Sequence, residues 1–467
     1  MTVDQILALG PKLARFLEQF ADCFGRPEPR QHLCHYVRGQ LSDLPRKSVE
    51  PIALFNDVAP RTLQEFLGSD EWDHDRLRDR LQQIVARDHA DPKAIGIIDD
   101  SGHPKKGRKS AGVQWQYCGN TGKPDNCVIT VHLGYASFDT SFRVVVDSSL
   151  YLPKSWDEDR QRCREAGIPD AVVYRPKYVM ALEQLDRAQA NGLAFSWIAA
   201  DEWYAEKPAF LAGLEQRQYR YVVEIPRNLL GWLHPPGSEP RHAFRPVEHL
   251  CRHSRPMLRQ AWERFHIKNT DKGPLVWEVK ATSQVWLRRD GQPLGPYWLI
   301  WARNVLDPVE EKYFLSNAAP ETRLETILHV ACARWPIERC FEDKKTELGL
   351  SHFEVRKYQA ICRHLLITQL SHLFLAEQTQ QLRGEKSAAH SVSGPHRRQR
   401  LHRRPVVASR PTPATLGTRR RTSPPYANPQ LHRTPLSHQD SPPPAPSTRH
   451  LPQQTPVLHT SLREGAL

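Results

Sequence analysis

Apolar residues in the first ninety positions recur at helical spacing. After Gly10-Pro11, the residues Leu13, Phe16, Leu17 and Phe20 follow an i, i+3, i+4, i+7 pattern, with the proline near the helix start. Leu77, Leu81, Ile84 and Val85 form a second such face behind Asp73, a good N-cap residue. The other face of that helix carries Arg76, Arg78, Arg80 and Arg87 with Asp75 and Asp79. It reads either as a salt-bridged solvated surface or as a recognition surface, and a helix-turn-helix around Pro60 to Gly68 is conceivable. From about residue 91 the period shortens to that of strands, at Ala94–Asp99, Cys127–Gly134, Arg143–Leu150, Phe195–Ala200 and Tyr219–Ile225. Helical segments fall at about 176–191 and 205–217. Between about 227 and 322 the pattern predicts aromatic strands at Leu275–Val279, Gln284–Arg288, Tyr297–Arg303 and Lys312–Leu315. Helices return at about 322–348 and 358–383. The whole is an α/β chain of more than one domain, long enough to bury a sizeable core.

The segment from about 386 differs. It is rich in Pro, Arg, Ser, Thr and His and has no helical or strand period, so it is expected to be disordered. It also changes the meaning of the +13 formal charge: 13 Lys/Arg against 2 Asp/Glu lie from Lys386 onward, and 52 against 50 before it. Global basicity therefore says little about the folded part. The tail reads as translation in a shifted frame or as a basic DNA-contacting arm. Nine cysteines without a Cys-x-x-Cys pair or zinc-like spacing suggest reduced thiols. No signal peptide and no run of about 18 apolar residues is seen, which points to a cytoplasmic protein without a membrane span.

Candidate chemistry gathers in ARWPIERCFEDKKTELGL. On a helix Arg334, Glu338 and Lys345 share one stripe, a carboxylate flanked by cations, while Ile337, Phe341 and Leu348 fill a neighbouring apolar face. Glu–Lys pairs decorate many solvated helices, so the stripe alone decides little. Two buried-strand patterns add to it, one ending in Asp99 and the other in Asp201. Each acid has a rival, Asp100, Glu202 and Glu342 respectively; strand neighbours face opposite ways, so one of each adjacent pair can reach a shared site. Carboxylates from separate elements beside cations suit a site that holds a metal and grips phosphates.

The runs IIDDSGHPKKG, QWQYCGNTGKPDNC, SLYLPKSW, ADEWYAE, YFLSN and RWPIERCFEDKKTELGLSHFEVRKY resemble, in order, bacterial insertion-sequence transposases of the DDE superfamily, in the group with a Tyr-Arg-Glu-Lys signature. The resemblance spans roughly residues 20 to 383. It implies an RNase H-like catalytic core with a β-rich insertion, an N-terminal helical domain and a disordered C-terminal tail. The corresponding bounds are 1–90 for the helical, end-binding domain, 91–226 and 323–385 for the core, 227–322 for the insertion and 386–467 for the tail. It implies Asp99, Asp201 and Glu338 as catalytic ligands of two Mg²⁺ ions, with Mn²⁺ as a substitute, and no protein nucleophile. Arg334, Lys345, Lys105 and Lys106 become DNA contacts, although for the lysines after Asp99 a solvated loop is an equal alternative. Trp286, Trp298 and Trp301 are core residues or a platform for an unstacked base. Double-stranded DNA, as terminal inverted repeats and target, is the implied partner, bound by a homodimer at the nucleoid. One departure stands out: Ala331 occupies the signature tyrosine position. That departure and the tail feed an alternative, an inactive DNA-binding remnant that represses a full-length copy.

Overall fold

The computed structural model describes residues 5, 7–233, 244–270, 273–289 and 292–392. Its frame is a twelve-stranded sheet. The first six strands are β1 (Ile95–Pro104), β2 (Gln114–Cys118), β3 (Lys123–Ala136), β4 (Arg143–Leu150), β5 (Trp197–Ala200) and β6 (Arg220–Ile225). The other six are β7 (Leu230–Trp232), β8 (Arg245–Pro246), β9 (Glu263–Thr270), β10 (Gly273–Arg289), β11 (Gln292–Asn304) and β12 (Glu311–Ser316). The order is β2-β3-β1-β5-β6-β12-β11-β10-β7-β8, with β4 added to β3 and β9 to β10.

At the centre, β1 runs antiparallel to β3 but parallel to β5, and β5 parallel to β6. Both faces of this region are covered, which explains why β1 begins as an unbroken apolar run. Ile95 and Ile97 join one core cluster and Ile98 another, and all three are fully buried. Burial of each such side chain contributes roughly 1.5–3 kcal/mol. The helix Lys177–Ala190 packs on β3 and β4 from one side; the helices Leu324–Cys332 and Arg334–Thr346 cover the other cluster.

The N-terminal helices Leu9–Glu18, Pro27–Leu41, Pro60–Gly68 and His74–Asp88 pack on the long final helix, Tyr358–Val392, while Val49–Phe55 packs on Pro27–Leu41 and Pro60–Gly68. Arg363 locks this joint: it is buried, and its guanidinium donates to the carbonyls of Phe66, Leu67, Asp70 and Trp72 at 2.9–3.2 Å. Asp73 caps His74–Asp88 by accepting from the Arg76 amide at 2.9 Å. The arginine face of that helix is tied up in ion pairs: Arg76 and Arg80 both reach Asp22, and Arg78 reaches Asp75 and Asp79.

Two local expectations need correction. The helix expected over 322–348 is broken at Ala333, because Pro336 has no amide hydrogen to bond back to Cys332 and fits only in a first turn. The segment expected to be irregular from 386 continues the last helix as far as Val392; the rest of that tail lies outside the described residues. On β10 and β11, Trp286 and Trp301 are buried, and Trp298 is partly buried with its indole N–H on the Ala319 carbonyl, which agrees with the core reading of these residues over the platform. All nine cysteines are free thiols. No described helix is long and apolar enough to cross a membrane.

Candidate active site

The parallel pairing of β1 with β5 stops at Ile98 and Ala200. Past that point β1 continues along β3 to Pro104, while the chain after β5 turns into the helix Glu202–Ala205. Asp99 and Asp201 stand where the two parallel strands part. Asp201 caps that short helix, accepting from the Tyr204 amide at 3.2 Å. Asp99 is therefore an internal residue of a longer strand, and what ends there is its pairing with β5.

Strand alternation separates the acid from its neighbour. Ile97 and Asp99 lie toward the cluster that contains Phe341 of the Arg334–Thr346 helix; Ile98 and Asp100 lie toward the Lys177–Ala190 helix. Asp100 accordingly pairs with Lys177, whose ammonium also sits 4.1 Å from the Trp203 ring. Asp99 meets Arg334 at 4.0 Å. Both site aspartates resist ionisation. Burial, then the neighbouring Asp201 carboxylate, push Asp99 up to about 8, against the pull of Arg334. Asp201 is raised mainly by burial, partly relieved by the Tyr204 amide. Two buried acids, each raised further by a neighbouring carboxylate (Asp201 on Asp99, Asp100 on Asp201), form a site that gains from a bound cation, and hard carboxylate oxygens suit Mg²⁺.

The restart of the helix after Ala333 puts Arg334 in its first turn, where the guanidinium spans Asp99 and Glu224, the latter at 3.5 Å. Glu224, on β6, also accepts from Lys312 at 2.8 Å. It was not singled out from the sequence, because its importance comes from β6 lying beside β5. With Glu202, whose carboxyl is raised by burial and by Glu224, it opens onto a cleft of about 760 Å³ that reaches Arg227 and Arg252. Lys345, toward the other end of the helix, bonds Asn120 Oδ1 at 3.3 Å. Burial lowers its pKa while Asp99 and Asp100 raise it. Arg334 and Lys345 are thus both brought to the acids. Glu338 lies in the same helix, with its side chain outside the described residues. Among the described residues no group of three His, Cys, Asp or Glu is arranged to hold a metal.

The basic loop divides. Lys105 is spent on structure: its ammonium donates to the Phe353 carbonyl at 2.7 Å and lies 3.3 Å from the Phe353 ring centre. Lys106 is exposed. Behind the acids runs a buried relay from Ser351 through His103, Thr130 and His132 to Ser148. Both imidazoles are held neutral, by burial first. His364 bonds Tyr36 at 2.9 Å and supports the joint between the terminal helices.

The model of the family described as DDE superfamily endonuclease matches residues 19–272, more than half the chain. The chain belongs to the DDE superfamily endonucleases. The matched span contains Asp99 and Asp201 and stops short of the helix with Glu338. This endonuclease-family chain is also similar, at 25% identity over 325 residues, to the probable transposase for insertion sequence element IS701 of Microchaete diplosiphon, covering 69% of this chain and 76% of that one. Both findings agree with the resemblance read from the sequence. Among solved structures, the NurA nuclease from Sulfolobus solfataricus overlays with a TM-score of 0.24 and 10% identity, over 65% of this chain and 87% of that one. A likeness at that level carries no argument.

Proposed function

We propose that the protein is a DNA transposase that cuts transposon ends and joins them to target DNA on an RNase H-like core. What supports the fold is the strand order β4-β3-β1-β5-β6, two antiparallel pairings followed by two parallel ones. In this reading residues 1–90 bind the ends, 91–226 and 323–385 form the core, and 227–322 are the insertion. The observation that carries the proposal is the Asp99–Asp201 pair at the strand split, met by Arg334 and Lys345 from one helix.

Asp99, Asp201 and Glu338 are the proposed ligands of two Mg²⁺ ions, which when bound supply activation of water or a 3′-hydroxyl and stabilisation of the leaving oxygen. Position 338 falls between Arg334 and Lys345 on one stripe of the helix, which is what recommends it as the third ligand. Because burial and the Asp201 carboxylate favour protonated Asp99, a cation held there would compete with a proton and would bind more strongly as pH rises. Arg334 and Lys345 grip the phosphates beside the cut, adding affinity without sequence choice. A homodimer on DNA would bring both ends together.

The test is end cleavage. A plasmid carrying the gene's flanking DNA is incubated with Mg²⁺ and either the protein or its Asp99→Asn, Asp201→Asn or Glu338→Ala variant. Cleavage at the flanks by the protein, lost in each variant while flank binding persists, is the expected outcome. A variant that still cuts removes that residue from the set. Binding without cleavage by the unaltered protein would favour the repressor-like remnant, to which Ala331, buried where the signature has a tyrosine, already gives some support.

A further inference from the structure

The buried insertion tryptophans leave the exposed aromatic surface elsewhere. Trp115 is 71% exposed and Tyr117 66% exposed; among the described residues they are the one tryptophan and the one tyrosine in the set of exposed large apolar side chains. Both lie on β2, whose burial alternates along Gln114–Cys118. Cys118 points inward against Gly102, where any side chain would collide with its sulfur, so the alternate residues Trp115 and Tyr117 project outward.

This hairpin is anchored to the candidate active site at two points. Gly102 lies three residues beyond Asp99 on β1, roughly 10 Å of strand. In the turn between β2 and β3, where Gly122 takes the positive φ that the reversal needs, Asn120 accepts from Lys345. Asn126, paired with Trp115, donates to the carbonyls of Lys105 and Gly107 and so holds the loop with the exposed cations Lys106, Arg108 and Lys109 beside the aromatic pair. The surface is aromatic and cationic, and its hairpin is tied to the strand and the helix that carry the acids and Lys345, a combination suited to unpaired nucleotides.

Spacing narrows the ligand further. Residues two apart on a strand are about 6.6 Å apart, close to twice the ~3.4 Å thickness of a stacked base. We propose that Trp115 and Tyr117 sandwich one base unstacked from the DNA strand next to the scissile phosphate. This deepens the transposase reading and rests on it.

Two fluorescein-labelled 30-mer duplexes of the flanking sequence serve as probes, one blunt and one with a four-nucleotide splayed end. By anisotropy the full chain is expected to prefer the splayed probe, and Trp115→Ala and Tyr117→Ala to lose roughly ten- to hundredfold in affinity for it with little change on the blunt one. Trp115→Phe keeps the preference, and Lys106→Ala weakens both probes alike. Circular dichroism checks that each variant is folded. An absent preference in the unaltered chain, or one retained by folded Trp115→Ala, overturns the platform while leaving end cleavage untouched. Loss of binding to both probes by the unaltered chain would instead overturn the transposase reading.

Discussion

Lys344 offers a sharp test of the physics of the signature helix. Its neighbour Lys345 faces the acids, but Lys344 is fully buried and its ammonium has no hydrogen-bond partner. Burial drives its pKa from 10.5 to about 7, with only the Cys340 thiol opposing. The sign follows from proton counts. Between about pH 7 and 10.5 the unfolded chain holds the proton and the folded chain does not, so stability rises with pH across that window. The penalty is full below about pH 7 and fades as pH approaches 10.5. At pH 7 about three pKa units separate the states, on the order of 4 kcal/mol; at pH 9 about 2 kcal/mol remains. Lys344→Met keeps the aliphatic packing and removes the charge. The variant should be more stable by up to about 4 kcal/mol at pH 7, and its advantage should shrink by about 2 kcal/mol at pH 9. Urea unfolding followed by tryptophan fluorescence at both pH values measures this. An equal or lower midpoint for Lys344→Met at pH 7, or an advantage that does not shrink with pH, would refute the reasoning and mean the ammonium is solvated or paired.

Lys105→Ala should leave the salt dependence of DNA binding unchanged, because its ammonium is turned onto the Phe353 carbonyl and ring, whereas Lys106→Ala should flatten that dependence. Arg334→Ala should cut cleavage at least ~100-fold, and Arg334→Lys should restore only part, because a point charge cannot span Asp99 and Glu224 as the guanidinium does; plasmid nicking assays read both. Removing residues 393–467 takes away 12 Lys/Arg and 2 Asp/Glu, and should reduce salt-sensitive, non-specific affinity on a titration from 50 to 200 mM salt with specific cleavage retained. Impaired cleavage would contradict the reading of the tail as a dispensable out-of-frame segment.

What could be read in the chain beforehand was whatever is local. Ile95 to Ile98 and Trp197 to Ala200 announce buried strands by unbroken apolarity, and the acids that follow them are visible for the same reason. The Arg334–Lys345 stripe follows from helical period alone. Glu224, by contrast, looks like any strand-end acid until β6 lies beside β5 and Arg334 crosses to it. Lys105 and Lys106 are indistinguishable as letters, and only the position of Phe353, some 250 residues on, makes one structural. Pro336 did carry a legible signal for the break at Ala333, since a first-turn proline marks a fresh helix start.

The pairing of β6 with β12 makes strands β7–β12 an outward extension of the central sheet. Excising them to obtain a minimal core would leave β6, with Tyr221, Val222 and Val223, as a bare hydrophobic edge whose amides and carbonyls seek another chain. A shortened protein should therefore precipitate or domain-swap unless that edge is capped, for instance by a lysine or proline placed on β6. Strands β7–β12 would thus double as a seal against polymerisation, set by the β6–β12 pairing alone.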